Sequence, residues 1–100
     1  MTERENLYQV MQEECSEIIQ ATSKIIRFGE HNHHPNKPLI TNASELMTEY
    51  YQLQAVMEIL QENNILPVLS EEEIIQIKDN KKAKVAAYAA MSVSLGLIKE

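Results

Sequence analysis

The sequence predicts an all-α fold in which three main helices form a bundle. Its two glycines and three prolines lie, apart from Gly96, in two short stretches, 29–41 and 63–70. The segments between these breaks are rich in Glu, Gln, Ala, Lys, Leu and Met, which favour helix, and none alternates apolar with polar residues as a strand does. Because a chain of 100 residues buries a modest share of its surface, we expect oligomerisation to complete the bundle.

The first helix is predicted over residues 4–28. Apolar side chains recur there at three- and four-residue spacing and form one stripe, made of Leu7, Val10, Met11, Ile18, Ala21, Ile25 and Phe28. Gly29 suits the end of the helix, because glycine adopts the left-handed conformation without a Cβ clash. We therefore expect one long amphipathic helix that buries this stripe.

The second helix is predicted to begin after Thr41 or Asn42 and to run to about Glu62. Threonine and asparagine are both good N-caps, since their side chains accept a hydrogen bond from a free backbone N–H. The apolar stripe of this helix consists of Leu46, Tyr50, Leu53, Val56, Met57 and Leu60. We expect this stripe to pack against that of the first helix.

The third helix is predicted to begin at Ser70, because Glu73 three residues later completes a capping-box pattern. It should run to Ser94 or Leu95, and Gly96 should end it. Its inner side is outlined by Ile74, Ile77, Lys81, Val85, Tyr88 and Met91. These residues are expected to face the rest of the bundle or another subunit.

Composition and charge restrict the possible functions. The length fits a single domain, 1–100, and the net charge of −6 disfavours non-specific nucleic-acid binding. No apolar run approaches a membrane span, and the N-terminal residues MTERENLYQ lack the apolar core of a signal peptide. The single cysteine, Cys15, excludes an intramolecular disulfide. We therefore expect a cytoplasmic protein that binds neither nucleic acid nor membranes.

Carboxylates intrude on the apolar stripe of the first helix. Glu14 and Glu17 are three residues apart, so they share a face with stripe residues, and Glu13 lies beside them. Burying two carboxylates side by side costs several kcal/mol unless they are paired or bound to a metal. This placement indicates a metal site, although a solvated acidic face is the ordinary explanation for such spacing.

The second helix repeats the pattern with Glu45, Glu49 and Gln52, spaced by four and three residues. If the first two helices pack antiparallel, these oxygens converge with those of Glu14 and Glu17. Three or four oxygen ligands, with water in the remaining positions, are typical of a Mg²⁺ or Mn²⁺ site. The lysines of the third helix would supply positive charge for a polyphosphate beside that metal: Lys78, Lys81, Lys82 and Lys84.

Two further groups of side chains have alternative interpretations. Lys24 and Arg27 follow Glu17 on nearly the same face and could bind phosphate oxygens, or they could be cations that favour a helix C-terminus. The histidines His31, His33 and His34 could bind zinc or nickel, but their loop has no scaffold of its own, so exposed side chains are the simpler expectation.

The whole pattern resembles a known family. Residues 13–29, EECSEIIQATSKIIRFG, are similar to the first helix of MazG-like proteins, which belong to the all-α nucleoside triphosphate pyrophosphohydrolases. The Ser-Lys-x-x-Arg-Phe-Gly ending and Thr41-Asn42 resemble a small phage and bacterial branch of that family. The third helix adds the spaced lysines Lys78, Lys81 and Lys84, and Tyr88, so the resemblance spans nearly the whole chain.

The resemblance implies a helical bundle that dimerises or tetramerises and hydrolyses a nucleoside triphosphate to a monophosphate and pyrophosphate with Mg²⁺ or Mn²⁺. It implies that Glu14, Glu17 and Glu49 are metal ligands. The family places an aspartate where this chain has Gln52, which offers a neutral oxygen. A glutamate not fully engaged by the metal, Glu13 or Glu17, would take the proton from water.

Two other functions compete with this one. Gln52 favours a non-catalytic relative, a helical module that binds a nucleotide or a protein partner. A purely structural helical dimer with a solvated acidic face is the third possibility. Metal binding would separate the first function from the third, and turnover would separate the first from the second.

Overall fold

A computed structural model describes residues 1–99 of the chain and confirms the all-α fold. Within those residues there are three helices and no strand: α1 spans Glu3–Phe28, α2 spans Asn42–Glu62 and α3 spans Glu71–Ser94. Only one isolated β-bridge, between His33 and Thr41, is formed in that part of the chain. No described helix combines the length and apolar character that crossing a bilayer requires.

The helix ends are set by the caps that the sequence indicates. Thr41 caps α2 by accepting a hydrogen bond from Ser44 N at 3.1 Å. Ser70 and Glu73 form the predicted capping box of α3. The first helix begins one residue earlier than predicted, because Thr2 forms a second capping box with Glu5. Each such cap contributes about 1 kcal/mol to helix stability.

Residues Met1–Pro67 form one compact unit, in which α1 packs against α2. The two helices run antiparallel. Glu17 lies beside Glu49, whereas Lys24, which comes later in α1, pairs with Glu45, which comes earlier in α2. The buried core consists of Ala21, Val56 and Leu60, and most of the predicted α1 stripe is half-buried around it. Phe28 differs from the prediction: it is 59% exposed, because α1 ends there.

The second unit runs from Val68 onward and contains α3. This helix buries none of its side chains. Five apolar members of its predicted inner side are 38–66% exposed: Ile74, Ile77, Val85, Tyr88 and Met91. Periodicity identified an apolar face correctly, but burial depends on what packs against that face, which a single sequence does not contain.

Candidate metal centre

Three carboxylates meet where α1 and α2 pack. Glu14, Glu17 and Glu49 each offer one oxygen, and these three oxygens lie within 4.8 Å of one another. Spacing of three residues puts Glu14 and Glu17 on one face of α1, and the antiparallel packing brings Glu49 of α2 to the same place. Among the described residues, no other group of three or more His, Cys, Asp or Glu side chains is close enough to share a metal ion.

Burial makes this cluster unusual. Glu14 and Glu49 are half-buried, whereas Glu17 is exposed. The Oε2 atoms of Glu14 and Glu49 are inaccessible to solvent and have no hydrogen-bond partner. An unpaired buried carboxylate oxygen costs at least about 1–3 kcal/mol, because it has given up its water without a replacement. Hard oxygen donors of this kind fit Mg²⁺ or Mn²⁺, which would satisfy both atoms.

The electrostatics agree with the geometry. The pKa of Glu49 is raised above its usual 4.5. The first cause is the adjacent Glu17 carboxylate, which can accept a hydrogen bond from Glu49 only when Glu49 is protonated, so it raises the pKa of Glu49. Burial raises the pKa further, and so do the negative charges of Glu17, Glu14 and Glu45, in that order. A divalent ion would compete with a proton for the Glu49 oxygens, because metal ligands must be deprotonated.

Glu45 is engaged elsewhere. Its Oε1 accepts a hydrogen bond from Lys24 Nζ at 3.2 Å, in an ion pair whose side chains are 37% and 51% exposed. Such an exposed pair contributes little to stability, about 0–1 kcal/mol. The structure thus keeps Glu45 outside the group of three carboxylates, while its charge still acts on Glu49. Lys24 remains within reach of solvent and of an anion that enters there.

Glu13 is not one of the three clustered carboxylates. Glu13 and Gln52 are exposed, and Gln52 lies one turn after Glu49 on α2. The Arg27 guanidinium lies 5.6 Å from the centre of the Phe28 ring, a cation–π distance. Lys81 is an exposed residue of α3, in the second unit. Their roles as proton acceptor, ligand and phosphate-binding residues stay predictions.

The loop between α1 and α2 has more structure than the sequence suggested. His33 Nδ1 is 2.9 Å from His34 O, and Asn36 N donates to His34 Nδ1 at 3.2 Å. All three histidines are exposed, as the sequence led us to expect. The histidines do not form a three-ligand group with one another or with any of residues 1–99.

Sequence reasoning also missed a cavity of about 440 Å³ beside this loop. Its lining includes Phe28, which was assigned to the buried stripe, and two of the loop histidines. The available signal was the position of Phe28 at the last residue of α1, next to a loop that carries rings and amides. That signal gives no distance between these residues, so the cavity itself could not be predicted.

A scan against protein-family models and searches of curated proteins and of solved structures found no significant match to this chain. The assignment of a function therefore depends on the geometry of the carboxylates and on the resemblance of the sequence motifs.

Proposed function

We propose that the protein is a Mg²⁺-dependent nucleoside triphosphate pyrophosphohydrolase of the MazG-like kind, which also accepts Mn²⁺. The observation that carries the proposal is the convergence of Glu14, Glu17 and Glu49, with two carboxylate oxygens buried and unpartnered. A structural helical hairpin gains nothing from this arrangement, because three negative charges at this distance repel one another. A divalent cation turns the same arrangement into a stable one.

Different residues of the chain would bind the metal and accept the proton. Glu14, Glu17 and Glu49 would hold the cation, and Gln52 would contribute a neutral oxygen. When bound, the metal would neutralise charge on the phosphate oxygens and favour deprotonation of a nearby water. Glu13 or Glu17 would accept that proton, since both carboxylates are exposed to solvent. Water adds to a phosphorus atom of the anhydride between the α- and β-phosphates, and that phosphorus loses its bond to the bridging oxygen. The products are a nucleoside monophosphate and pyrophosphate.

Cations near the cluster would bind phosphate oxygens of the substrate. Lys24 is the best placed, because its ion pair with Glu45 is exposed and weak. A phosphate oxygen can replace that partner at little cost, since a lysine–phosphate hydrogen bond is charge-assisted. Arg27 lies on the same side of α1, and Lys81 is assigned by the resemblance alone. We further propose that a second copy of the chain covers the apolar face of α3, to give a homodimer or homotetramer in the cytoplasm.

The test is pyrophosphate release from a panel of canonical and modified nucleoside triphosphates, with Mg²⁺ and with Mn²⁺. Glu17→Gln should abolish release, because it removes a ligand and a candidate proton acceptor. Glu13→Gln separates the two roles: it should slow turnover while leaving metal affinity intact if Glu13 takes the proton. Glu58→Gln is the matched control, since Glu58 is an exposed glutamate of α2 outside the cluster.

Gln52 favours a second candidate function, a non-catalytic module that binds a nucleotide or a protein partner. A neutral amide lowers the negative charge that offsets dehydration of the metal. A protein of this kind would bind Mg²⁺ and a nucleoside triphosphate but release no pyrophosphate. The same assay, run beside a nucleotide-binding measurement, separates the two functions.

A further inference from the structure

The cavity of about 440 Å³ lies where the C-terminal end of α1 and the N-terminal end of α2 meet the connecting loop. Its volume lies within the roughly 300–1,000 Å³ of small-molecule pockets. The lining residues that matter here are two imidazoles, two amides and two apolar rings: His33, His34, Asn32, Asn42, Phe28 and Pro35. None of the three clustered carboxylates lines it, so it is a site separate from the metal centre.

Hydrogen bonds hold the wall of this cavity in place before any ligand arrives. Asn42 N donates to Asn32 O at 2.8 Å, and Asn42 Nδ2 donates to Gly29 O at 3.0 Å. Ala43 N donates to Glu30 O at 2.9 Å, so three bonds join the start of α2 to the start of the loop. Asn42 is the buried polar residue of the core. A pocket built in this way binds without first having to order its own loop.

The same hydrogen bonds assign donors and acceptors to the lining. A carbonyl oxygen only accepts, so the bond to His34 O puts a proton on His33 Nδ1, and in the neutral ring His33 Nε2 is then an acceptor. His34 Nδ1 accepts from a backbone N–H, which leaves His34 Nε2–H a donor in the neutral ring. Asn32 Oδ1 accepts from His33 N, so the Asn32 amide group keeps its two N–H donors.

Two apolar rings, those of Phe28 and Pro35, complete the lining of the cavity. Phe28 is 59% exposed although it is apolar, and both Phe28 and Pro35 line the cavity. An aromatic ring at a pocket wall offers a flat apolar surface on which a planar ligand stacks. A ligand that suits both the flat surface and the mixed donors and acceptors is a planar heterocycle with polar atoms along its edge.

The position of the cavity relates it to the metal centre. Lys24, which also lines the cavity, lies seven residues after Glu17, or about 10 Å along the axis of α1. Glu45, another lining residue, lies four residues before Glu49, or about 6 Å along α2. Both offsets run towards the same end of the antiparallel pair. A phosphate chain at the carboxylates would therefore extend its sugar and base towards the cavity.

We infer that this cavity binds the heterocyclic base of the nucleotide. The identification of the ligand as a nucleotide rests on the proposed function, whereas the match to a planar heterocycle rests on the lining itself. The cavity thus sets which base the protein accepts, and the carboxylates act on the phosphates common to all nucleotides. Phe28 is the stacking residue, and His33, His34 and Asn32 read the polar edge.

The experiment uses the full chain and the four common nucleoside monophosphates at millimolar concentration without metal, with backbone amide NMR shifts as the readout. At least one monophosphate should shift the amides of Phe28, His33 and His34. Phe28→Leu keeps an apolar side chain but removes the ring, and should weaken that binding roughly tenfold. His31→Ala is the matched control, because His31 belongs to the same loop but does not line the cavity.

Failure of this inference is distinguishable from failure of the proposed function. Monophosphate binding at the cavity in the absence of any triphosphate turnover would remove the enzyme proposal and support the base pocket. Turnover with an unchanged KM in Phe28→Leu would overturn the pocket and leave the enzyme. Glu49→Gln should lose turnover but retain monophosphate binding at Phe28 and the histidines. Shifts confined to other residues, or none at all, would also overturn the inference.

Discussion

Glu49→Gln should make the metal-free protein more stable, because it removes one of three mutually repelling charges. The oxygens of Glu14, Glu17 and Glu49 lie no more than 4.8 Å apart. Coulomb repulsion at that distance is about 1 kcal/mol per pair in a water-like medium and about 3.5 kcal/mol at an effective dielectric constant of 20. Glu17 is exposed, so the lower value is appropriate. Loss of two such pairs should then raise stability by about 1–2 kcal/mol.

Mg²⁺ should reverse that order of stabilities. A ligand that binds only the folded state adds about 2.7 kcal/mol when present at 100 times its Kd. The wild-type protein has this gain available, whereas the glutamine variant lacks one of its three charged ligands. The variant should therefore be the more stable protein in EDTA and the less stable one in saturating Mg²⁺.

Thermal unfolding followed by circular dichroism at pH 8 measures both effects. For a chain of this size, 1–2 kcal/mol corresponds to a shift in Tm of about 5–15 °C. Glu58→Gln, which removes an exposed charge from the same helix, should change Tm little in either condition. A lower Tm of Glu49→Gln in EDTA, or an equal rise in Tm with Mg²⁺ in wild type and Glu49→Gln, would contradict a cation site that includes Glu49.

The pKa of Glu49 is raised above 4.5 in the folded state. The metal-free protein should therefore gain stability as pH falls through the raised pKa towards 4.5, and lose that stability as pH rises. Urea titrations in EDTA should show this pH dependence, and Glu49→Gln should flatten it. Light scattering at micromolar concentration should give a dimer or larger, and an 11.5 kDa monomer would contradict the covering of α3 by a second copy. Gln52→Asp should tighten Mg²⁺ binding, measured by calorimetry, and accelerate pyrophosphate release, because it adds a charged oxygen one turn from Glu49. Unchanged affinity and rate would mean that the side chain at position 52 does not reach the metal.

The limits of the helices were predictable because their causes are local. Ser70 and Glu73 specify the start of α3 within four residues, and Thr41 does the same for α2. The start of α1 was misplaced by one residue, since the capping pair Thr2 and Glu5 was overlooked. Nothing beyond the adjacent turn had to be known in any of these cases.

The carboxylate cluster was predictable for a different reason. Glu14 and Glu17, three residues apart, interrupt the apolar stripe of α1. When two helices pack antiparallel, few positions on α2 can bring a third carboxylate, that of Glu49, to the same place. The cavity was not predictable, because it depends on hydrogen bonds between Asn42 and residues 29 and 32 that no periodicity encodes.

A Mn²⁺ titration followed by electron paramagnetic resonance tests the central claim, that the three carboxylates hold one divalent cation. Mn²⁺ is the appropriate probe, since it prefers the same oxygen ligands as Mg²⁺. The wild-type protein and Glu58→Gln should bind one Mn²⁺ per chain, displaced by excess Mg²⁺, and the single variants Glu14→Gln, Glu17→Gln and Glu49→Gln should each lose that binding. Stoichiometric Mn²⁺ binding that persists unchanged in all three single variants would contradict the claim.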